Sequence, residues 1–334
     1  MTFHADNRND ADYDGKIATI AAQLADWSGP IVLVAHVDPD GDALGSTLAL
    51  KRALEALGKQ TILPIESPPF LRFLVREGEL SDPLETLPDR SLLAILDVSE
   101  LDRMTGAPLD GAAFVVNLDH HGTNPRFGDL ALVQPGAAAT AQIVKDVVDA
   151  LPVEWSEAIA TPCLAGILTD TGTFRYANTD RDVLRAAGDL IAAGVDYPAL
   201  TDRLQWRPAS FYRMLGAVME TLELPFDGRL ALASVSTEIA AKFADAEDGS
   251  DDYVGLIRYI DGVKLAVLLK QKEDAVKVSV RARAPVSAQA ICLELGGGGH
   301  VAAAGAKIAG ADLDAARNAV LSASARELAR HDLA

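Results

Sequence analysis

Short, almost wholly apolar runs alternate with longer stretches of helical periodicity through the first half of the chain. The runs are IVLVA (31–35), TILPI (61–65), LLAIL (92–96) and AAFVVNL (112–118). A strand with one wet face would alternate apolar and polar side chains. These do not, so both faces are predicted to be buried, as in a parallel sheet. After the first run, ALGSTLALKRALEALG has helical spacing and closes on Gly58, a residue suited to end a helix. Further helices are predicted around 139–150 and 155–168. Strands alternating with helices predict an α/β architecture, a mainly parallel sheet flanked by helices. Ligands of such sheets sit beyond the carboxyl ends of the strands.

The pattern changes twice further on. Residues 181–222 are helical in character and rich in Ala, Leu and Arg. Beyond them, RLALASVS (229–236), VKLAVLLKQ (263–271) and AVKVSVRAR (275–283) read as strands, with Asp-Gly turn signals at 227–228 and 261–262. The expected organisation is a first domain over 1–185, a helical connector over 186–222 and a smaller C-terminal α/β domain over 223–334.

A chain of 334 residues has room for two such domains. It has no stretch of about 18 uncharged apolar residues, so no membrane span and no membrane partner are expected. The start, MTFHADNRNDADYDG, is polar and acidic and lacks the features of a secretory leader; it reads as a frayed tail. Cys163 and Cys292 lie in apolar segments far apart, as small core residues do, which points to a reduced, cytoplasmic protein. The net charge of -18 argues against wrapping long nucleic acid, whose affinity comes from many phosphate contacts. One segment departs from this acidity. From Arg258 to Arg283 there are seven cations (Arg258, Lys264, Lys270, Lys272, Lys277, Arg281, Arg283) against three acids (Asp261, Glu273, Asp274). Such a cluster could hold a nucleotide or a short oligonucleotide, or be no more than a solvated strand face.

Chemistry-bearing residues collect just after the apolar runs. His36-Val-Asp-Pro-Asp40-Gly-Asp42 places an imidazole and several carboxylates at a strand-to-helix turn. Like charges this close repel unless a cation offsets them. Asp42 taken alone could instead be a helix cap. Asp97 follows LLAIL, Asp119-His120-His121 follows AAFVVNL, and Asp170 follows the helical run CLAGIL. Asp97 or Asp170 alone would be an ordinary cap or turn residue. The histidines weigh the set differently. Of six in the chain, His4 and His331 lie in expected tails, and His36, His120, His121 and His300 all lie in these motifs. Asp40, Asp42, Asp97 and Asp170 would balance two divalent cations. Mixed imidazole and carboxylate donors suit Mn²⁺, with Fe²⁺, Co²⁺ or Zn²⁺ as alternatives. Near the C-terminus, four glycines precede His300. Their backbone N–H groups could cradle phosphate if a helix starts after them.

Together these segments resemble the DHH phosphoesterase family, from about Ile31 to the end. The motifs are HVDPDGDALGS (36–46), LDVSELDR (96–103), LDHHGTNPRFGD (118–129), ILTDTGTFRY (167–176) and GGGGHVAAAG (296–305). Five in the family's order are far more specific than any one. The resemblance implies a catalytic DHH domain and a C-terminal DHH-associated domain that binds substrate. It implies that His36, Asp40 and Asp97 hold one metal ion, and that Asp42, Asp97, His120 and Asp170 hold the other. His121 would contact the phosphate beside them. Arg281 and the loop of Gly297, Gly298, Gly299 and His300 would bind substrate, and Arg103 and Asn124 match further family positions. Arg258, in the basic cluster, joins this substrate-binding set. The implied cofactor is two Mn²⁺, with Mg²⁺, Co²⁺ or another divalent metal as alternatives. Two positions depart from the family pattern: Asp38 stands where Asn is frequent, and the usual Arg-Ser pair reads Arg281-Ala282.

The length and the closing GGGGH motif resemble the short bacterial branch. Its members are oligoribonucleases that also dephosphorylate 3′-phosphoadenosine 5′-phosphate, and phosphodiesterases of cyclic dinucleotides. The expected partners are short RNA or nucleotides, with short single-stranded DNA and a homodimer both compatible with the chain. A cyclic di-AMP or pApA phosphodiesterase is the alternative, and a RecJ-like single-strand exonuclease a second one. Those exonucleases carry an added nucleic-acid-binding domain for which this chain has little room. Family II pyrophosphatases end differently, and a non-catalytic nucleotide sensor would show a degenerate site, whereas every expected ligand is present here.

Overall fold

A computed structural model of the chain describes residues 12–244, 250 and 252–331. The chain divides into two compact units, with the boundary between Trp206 and Arg207. The first unit contains α1 (Tyr13–Asp26), β1 (Ile31–Val34), α2 (Gly41–Ala56), β2 (Thr61–Ile62), β3 (Leu92–Leu96), β4 (Phe114–Asp119) and β5 (Leu130–Val133). It continues with α3 (Thr140–Ala150), α4 (Glu157–Asp170), α5 (Arg181–Ala192) and α6 (Tyr197–Gln205). Its five strands run parallel in the order β2-β1-β3-β4-β5. The apolar runs therefore become strands buried on both faces, as their lack of alternation requires. One face packs against the helices. The other, carrying Val32, Val34, Leu93 and Ile95, is covered by side chains of the connecting segments, among them Leu84, Leu87, Met104 and Phe127.

Part of the expected N-terminal tail is structured. Tyr13, Ile17, Ile20, Ala21 and Leu24 form one buried stripe of α1, and the Tyr13 hydroxyl donates to Asp146 at 2.8 Å. That helical spacing begins inside the acidic stretch, where charge masks it. Residues 1–11, including His4, lie outside the described residues. The strand expected over 61–65 shrinks to two residues, and β5 is an edge strand whose short LALV run lies outside the predicted strands.

The tightest packing in this unit joins α2 to α4. Glycines make it possible. A Cβ on Gly45 would overlap the Pro162 carbonyl, one on Gly41 would lie 2.7 Å from the Thr169 Cβ, and one on Gly166 would lie 3.3 Å from the Asp42 Cα. Pro162 stands inside α4, where it has no N–H to give the Ala158 carbonyl. Arg52 of α2 supplies the missing donor, at 2.7 Å. The same buried guanidinium grips both carboxylate oxygens of Glu79 at 2.7 Å and the Leu74 carbonyl at 2.6 Å. One arginine thus closes the defect that a proline opens.

The second unit holds α7 (Ala209–Met219), β6 (Leu230–Val235), α8 (Thr237–Lys242), α9 (Tyr253–Ile257), β7 (Leu265–Gln271) and β8 (Ala275–Ala282). It ends with α10 (Ala288–Glu294), β9 (Gly298–Gly299), β10 (Ala303–Ala309) and α11 (Leu313–Ala329). Its mixed sheet runs β6-β7-β8-β10-β9, parallel only between β6 and β7. Here alternation is visible. Leu265, Val267 and Leu269 face α10 and α11, whereas Ala266 and Leu268 face α7 and α9. The predicted Asp-Gly turns form, with Gly228 and Gly262 at φ 81° and 80°. The expected connector is divided: residues up to 206 pack with the first unit and those from 207 with the second. Both cysteines are buried. Among the described residues no helix is long and apolar enough to cross a membrane.

Two substitutions test this packing. Arg52→Met should cost about 3–5 kcal/mol, because it strands a buried carboxylate and two carbonyls. Gly45→Ala should cost about 1–3 kcal/mol by forcing α2 from α4. Urea denaturation midpoints check both, and unchanged midpoints would contradict the packing argument.

Candidate metal centre

The strand order reverses direction beside β1, since the chain goes from β1 to β2 on one side and returns to β3 on the other. Crevices beyond the carboxyl ends of strands at such a switch point are the binding places of open α/β sheets. His36 lies two residues beyond Val34, Asp97 two beyond Ile95, and these two strand residues are cross-strand partners. Asp119 ends the neighbouring β4, and the Asp97 N–H donates to the Leu118 carbonyl at 2.9 Å. Three adjacent strands thus deliver three of the motifs to one edge. Packing of α2 against α4 delivers the rest. Asp40 and Asp42 stand at the start of α2, and Asp170 is the last residue of α4.

The cap of α2 is Asp40, which accepts the N–H groups of Asp42 at 3.0 Å and Ala43 at 3.1 Å. Asp42, the residue for which sequence left a capping role open, has another partner. It is fully buried, and its two oxygens accept the Thr140 and Ala141 N–H groups at 2.6 and 2.8 Å. These open α3, whose own N-cap position, Ala139, has no side-chain acceptor. A carboxylate about a hundred residues away caps this helix, an arrangement favoured by the positive end of the helix dipole.

Around Asp97 the geometry divides in two. Its Oδ2 faces His36 Nε2 at 3.6 Å, and Asp40 Oδ1 is 4.0 Å from the same nitrogen. Its Oδ1 faces His120 Nε2 at 3.6 Å, and that nitrogen lies 3.3 Å from Asp170 Oδ2 and 3.9 Å from Asp42 Oδ2. Two groups of potential ligands therefore share Asp97: His36, Asp40 and Asp97, and Asp42, His120 and Asp170 beside its other oxygen. In each group the ligand atoms lie within 4.8 Å of one another. A third such group is Asp97, His120 and His121.

The imidazoles are aimed from behind. His36 Nδ1 lies 2.8 Å from the Val37 carbonyl, which makes it the donor and leaves Nε2 toward the carboxylates. His121 Nδ1 sits 2.8 Å from Asp119 Oδ1, a contact that orients the ring. Asp119 is fully buried and is held in turn by the Asn124 amide at 2.8 Å. Asn124, matched by resemblance to substrate binding, is itself buried. Its amide also donates to the Val98 carbonyl at 2.9 Å, so its observed bonds point inward, to the support of the Asp-His-His segment. The Thr140 hydroxyl donates to Asp97 Oδ1 at 2.9 Å. Sequence reading assigned no role to Asp119 or Thr140. The available trace was indirect, a helix opening after three alanines with no capping residue.

Strained backbone gathers here. Asp97 has φ 59°, Asp38 φ 55°, and after Asp170 come Gly172, Thr173 and Phe174 at φ 56°, 58° and 62°. A left-handed residue other than glycine costs roughly 1–2 kcal/mol, and such residues cluster at functional sites. Asp38 is exposed in its turn.

The electrostatics are those of crowded anions. Burial, and then the charges of Asp97 and Asp40, hold Asp42 well above the usual carboxylate range. Burial and the charges of Asp42, Asp40 and Asp97 do the same to Asp170. Asp97 differs. Burial pushes it up, but His36, His120 and His121 outweigh that and bring it to about 2. Burial pulls His36 down, but Asp97 and Asp40 overcome it and raise it to about 9. Buried carboxylates that raise one another, grouped around imidazoles, fit a place built for divalent cations. The mixture of imidazole nitrogen and carboxylate oxygen fits Mn²⁺ and its neighbours better than an all-oxygen ion such as Ca²⁺.

The remaining candidates lie elsewhere. Arg103 is exposed, and its carbonyl accepts the Val37 N–H at 2.7 Å, which puts its backbone beside His36. Arg258, Arg281, Gly297, Gly298, Gly299 and His300 belong to the second unit. No helix follows the glycines, contrary to the phosphate-cradle expectation. Gly298–Gly299 form the edge strand β9, and His300 closes a tight turn into β10, its N–H donating to the Ala303 carbonyl at 2.7 Å. The glycines are needed for close approach: a Cβ on Gly299 would lie 2.6 Å from the Ala304 Cα. Arg281 stands on β8 opposite Ala266 of β7 and Ala303 of β10, and its guanidinium donates to the Val280 carbonyl at 3.1 Å. Arg258 and Arg283 each lie 5.9 Å from the exposed ring of Tyr259.

Comparison with known proteins follows the same division. Residues 30–167 match the N-terminal domain of the DHH family, and residues 235–325 match the DHHA1 domain. The chain is 53% identical over 318 residues to the bifunctional oligoribonuclease and PAP phosphatase NrnA of Thermus thermophilus, covering 95% of this chain and 96% of that one. It is 27% identical to the protein of the same name from Bacillus subtilis, over 83% of this chain and 89% of the other. Among solved structures, an exopolyphosphatase-related protein from Bacteroides fragilis shares the fold, with a TM-score of 0.82 at 22% identity, covering 92% and 96%.

The histidine shift sets a pH dependence. With His36 raised to about 9, its imidazole is protonated in the metal-free protein at neutral pH. A metal ligand must be neutral, so binding there releases a proton. Apparent affinity should rise roughly tenfold per pH unit from pH 7 and level off above about 9. Calorimetric titration with Mn²⁺ in buffers of different ionisation enthalpy measures the protons released. No release at pH 7 would contradict the raised value.

Proposed function

The chain belongs to the DHH family, and from that premise we propose that it is a two-metal phosphoesterase acting on short oligoribonucleotides and on 3′-phosphoadenosine 5′-phosphate. The products would be mononucleotides and inorganic phosphate respectively. The observation that carries the two-metal part is Asp97, whose two oxygens serve two separate groups of ligands. The relative at 53% identity supports the substrate part.

His36, Asp40 and Asp97 would hold one ion, and Asp42, Asp97, His120 and Asp170 the other, Mn²⁺ being the ion that best suits these donors. Bound there, the ions would supply water ionised near neutral pH and neutralise charge on the phosphoryl oxygens. His121, steadied by Asp119, would offer Nε2 to a phosphate oxygen. Burial pulls His121 down, but Asp119 and Asp97 raise it overall, which favours the donor form. Arg281 would screen phosphate charge together with His121, and Arg258, Arg103, His300 and the loop of Gly297, Gly298 and Gly299 would bind the non-reacting part of the substrate. The acidity of the rest of the chain favours short substrates, because a long strand would meet repulsion beyond these few cations.

Asp97→Ala should lower kcat/KM by roughly 10³-fold, about 4 kcal/mol, on every substrate, because it unseats both ions. The assay compares RNA of increasing length from the dinucleotide, short DNA, 3′-phosphoadenosine 5′-phosphate, pApA and cyclic di-AMP, each with Mn²⁺. A variant that keeps wild-type turnover would refute the bridging role. A clear preference for cyclic di-AMP over linear dinucleotides would refute the substrate assignment.

A further inference from the structure

We propose that Thr140 is a positioning residue that fixes the rotation of the Asp97 carboxylate against the second group of ligands, and so sets the affinity of that group for its ion. The inference rests on the two-metal reading. Thr140 is fully buried at the first position of α3. Its hydroxyl donates to Asp97 Oδ1 at 2.9 Å, the oxygen that also faces His120 at 3.6 Å. Asp97 Oδ2, turned toward His36, makes no contact with Thr140 among the described hydrogen bonds.

The physical need for such a residue comes from the carboxylate torsion. The last torsion of an aspartate is broad and two-fold, so the carboxylate rotates readily unless something holds one oxygen. Asp97 lies between several imidazoles at similar distances, 3.5 Å for His121 and 3.6 Å for His36 and His120. They alone choose no single orientation. Threonine is stiff about its first torsion, and its backbone is fixed because its own N–H donates to Asp42. The same residue therefore holds two acids of the second group, Asp42 through its amide and Asp97 through its hydroxyl. An ionised carboxylate has about four lone-pair sites, so each oxygen can still reach a metal ion after accepting one such bond.

Thr140→Val separates the two holds. It keeps the shape and the amide to Asp42 and removes only the hydroxyl. Thr140→Ser restores a hydroxyl. Metal-stripped full-length chains are titrated with MnCl₂ by calorimetry, and bound Mn²⁺ is counted by elemental analysis. For the Val variant the affinity for one of the two ions should fall about 10–100-fold, with the other changed by less than about 3-fold; the Ser variant should regain most of the loss. Turnover of the Val variant should be low at limiting Mn²⁺ and rise as Mn²⁺ is raised, with the substrate KM unchanged. The melting temperature of the metal-free Val variant reports folding separately. Two unchanged affinities, equal weakening of both, or no rescue by Ser would overturn the assignment. A wild-type chain that takes up fewer than two ions overturns the two-metal reading itself, and this assignment with it.

Discussion

Four carboxylates converge on one edge of the first sheet, and their mutual repulsion is the constraint around which this unit is arranged. Two unit charges nearly 5 Å apart repel by roughly 3–4 kcal/mol at the effective dielectric of a protein site. Asp42 and Asp170 show it directly, held well above the ordinary carboxylate range by burial and by neighbouring carboxylates, Asp97 and Asp40 among them. Each neighbouring feature offsets part of that cost. Imidazoles of His36, His120 and His121 surround Asp97. Backbone amides at the start of α3 take Asp42. The Asp40 side chain is tied into the cap of its own helix. What remains uncompensated is the charge that divalent cations would neutralise.

The cost is borne by packing further out. Asp42 and Asp170 meet only because α2 and α4 approach closely through Gly41, Gly45 and Gly166. Arg52 adds to this packing with bonds to Glu79 and to the carbonyl that Pro162 leaves open. The left-handed turns at Asp97 and after Asp170 belong to the same arrangement, backbone strain accepted where side chains must point at one place. The second unit is arranged differently. Its sheet alternates faces cleanly and packs helices on both.

Much of this was legible in the residues. Unbroken apolar runs predict a doubly covered parallel sheet because strands in such a sheet have no wet face to mark. Strand ends predict where ligands go because both faces of such a sheet are covered. Histidine concentrated in motifs, together with like charges a few residues apart, predicts a cation site because nothing else makes that clustering tolerable. Asp40, Asp42, Asp97, His120 and Asp170 could be nominated on those grounds, and the family resemblance divided them into ligand sets.

Other features had no local signature. The start of α1 was hidden because its apolar stripe opens within an acidic stretch. The role of the glycine run depended on the strand beside it, since the same bare backbone can open a helix or form an edge strand. The buried hydrogen bond from Asn124 to Asp119, and from there to His121, became visible only in the folded chain. The capping of α3 by Asp42, and the hold of Thr140 on Asp97, join residues about a hundred and about forty positions apart. Residue types, periodicity and charge are properties of short stretches, so the sequence by itself determined most of the strands, the helices of the first half and the chemistry available to the site. Which oxygen faces which nitrogen, and what holds it there, depends on elements brought together by α2, α4 and the sheet. Only the tertiary structure decided that.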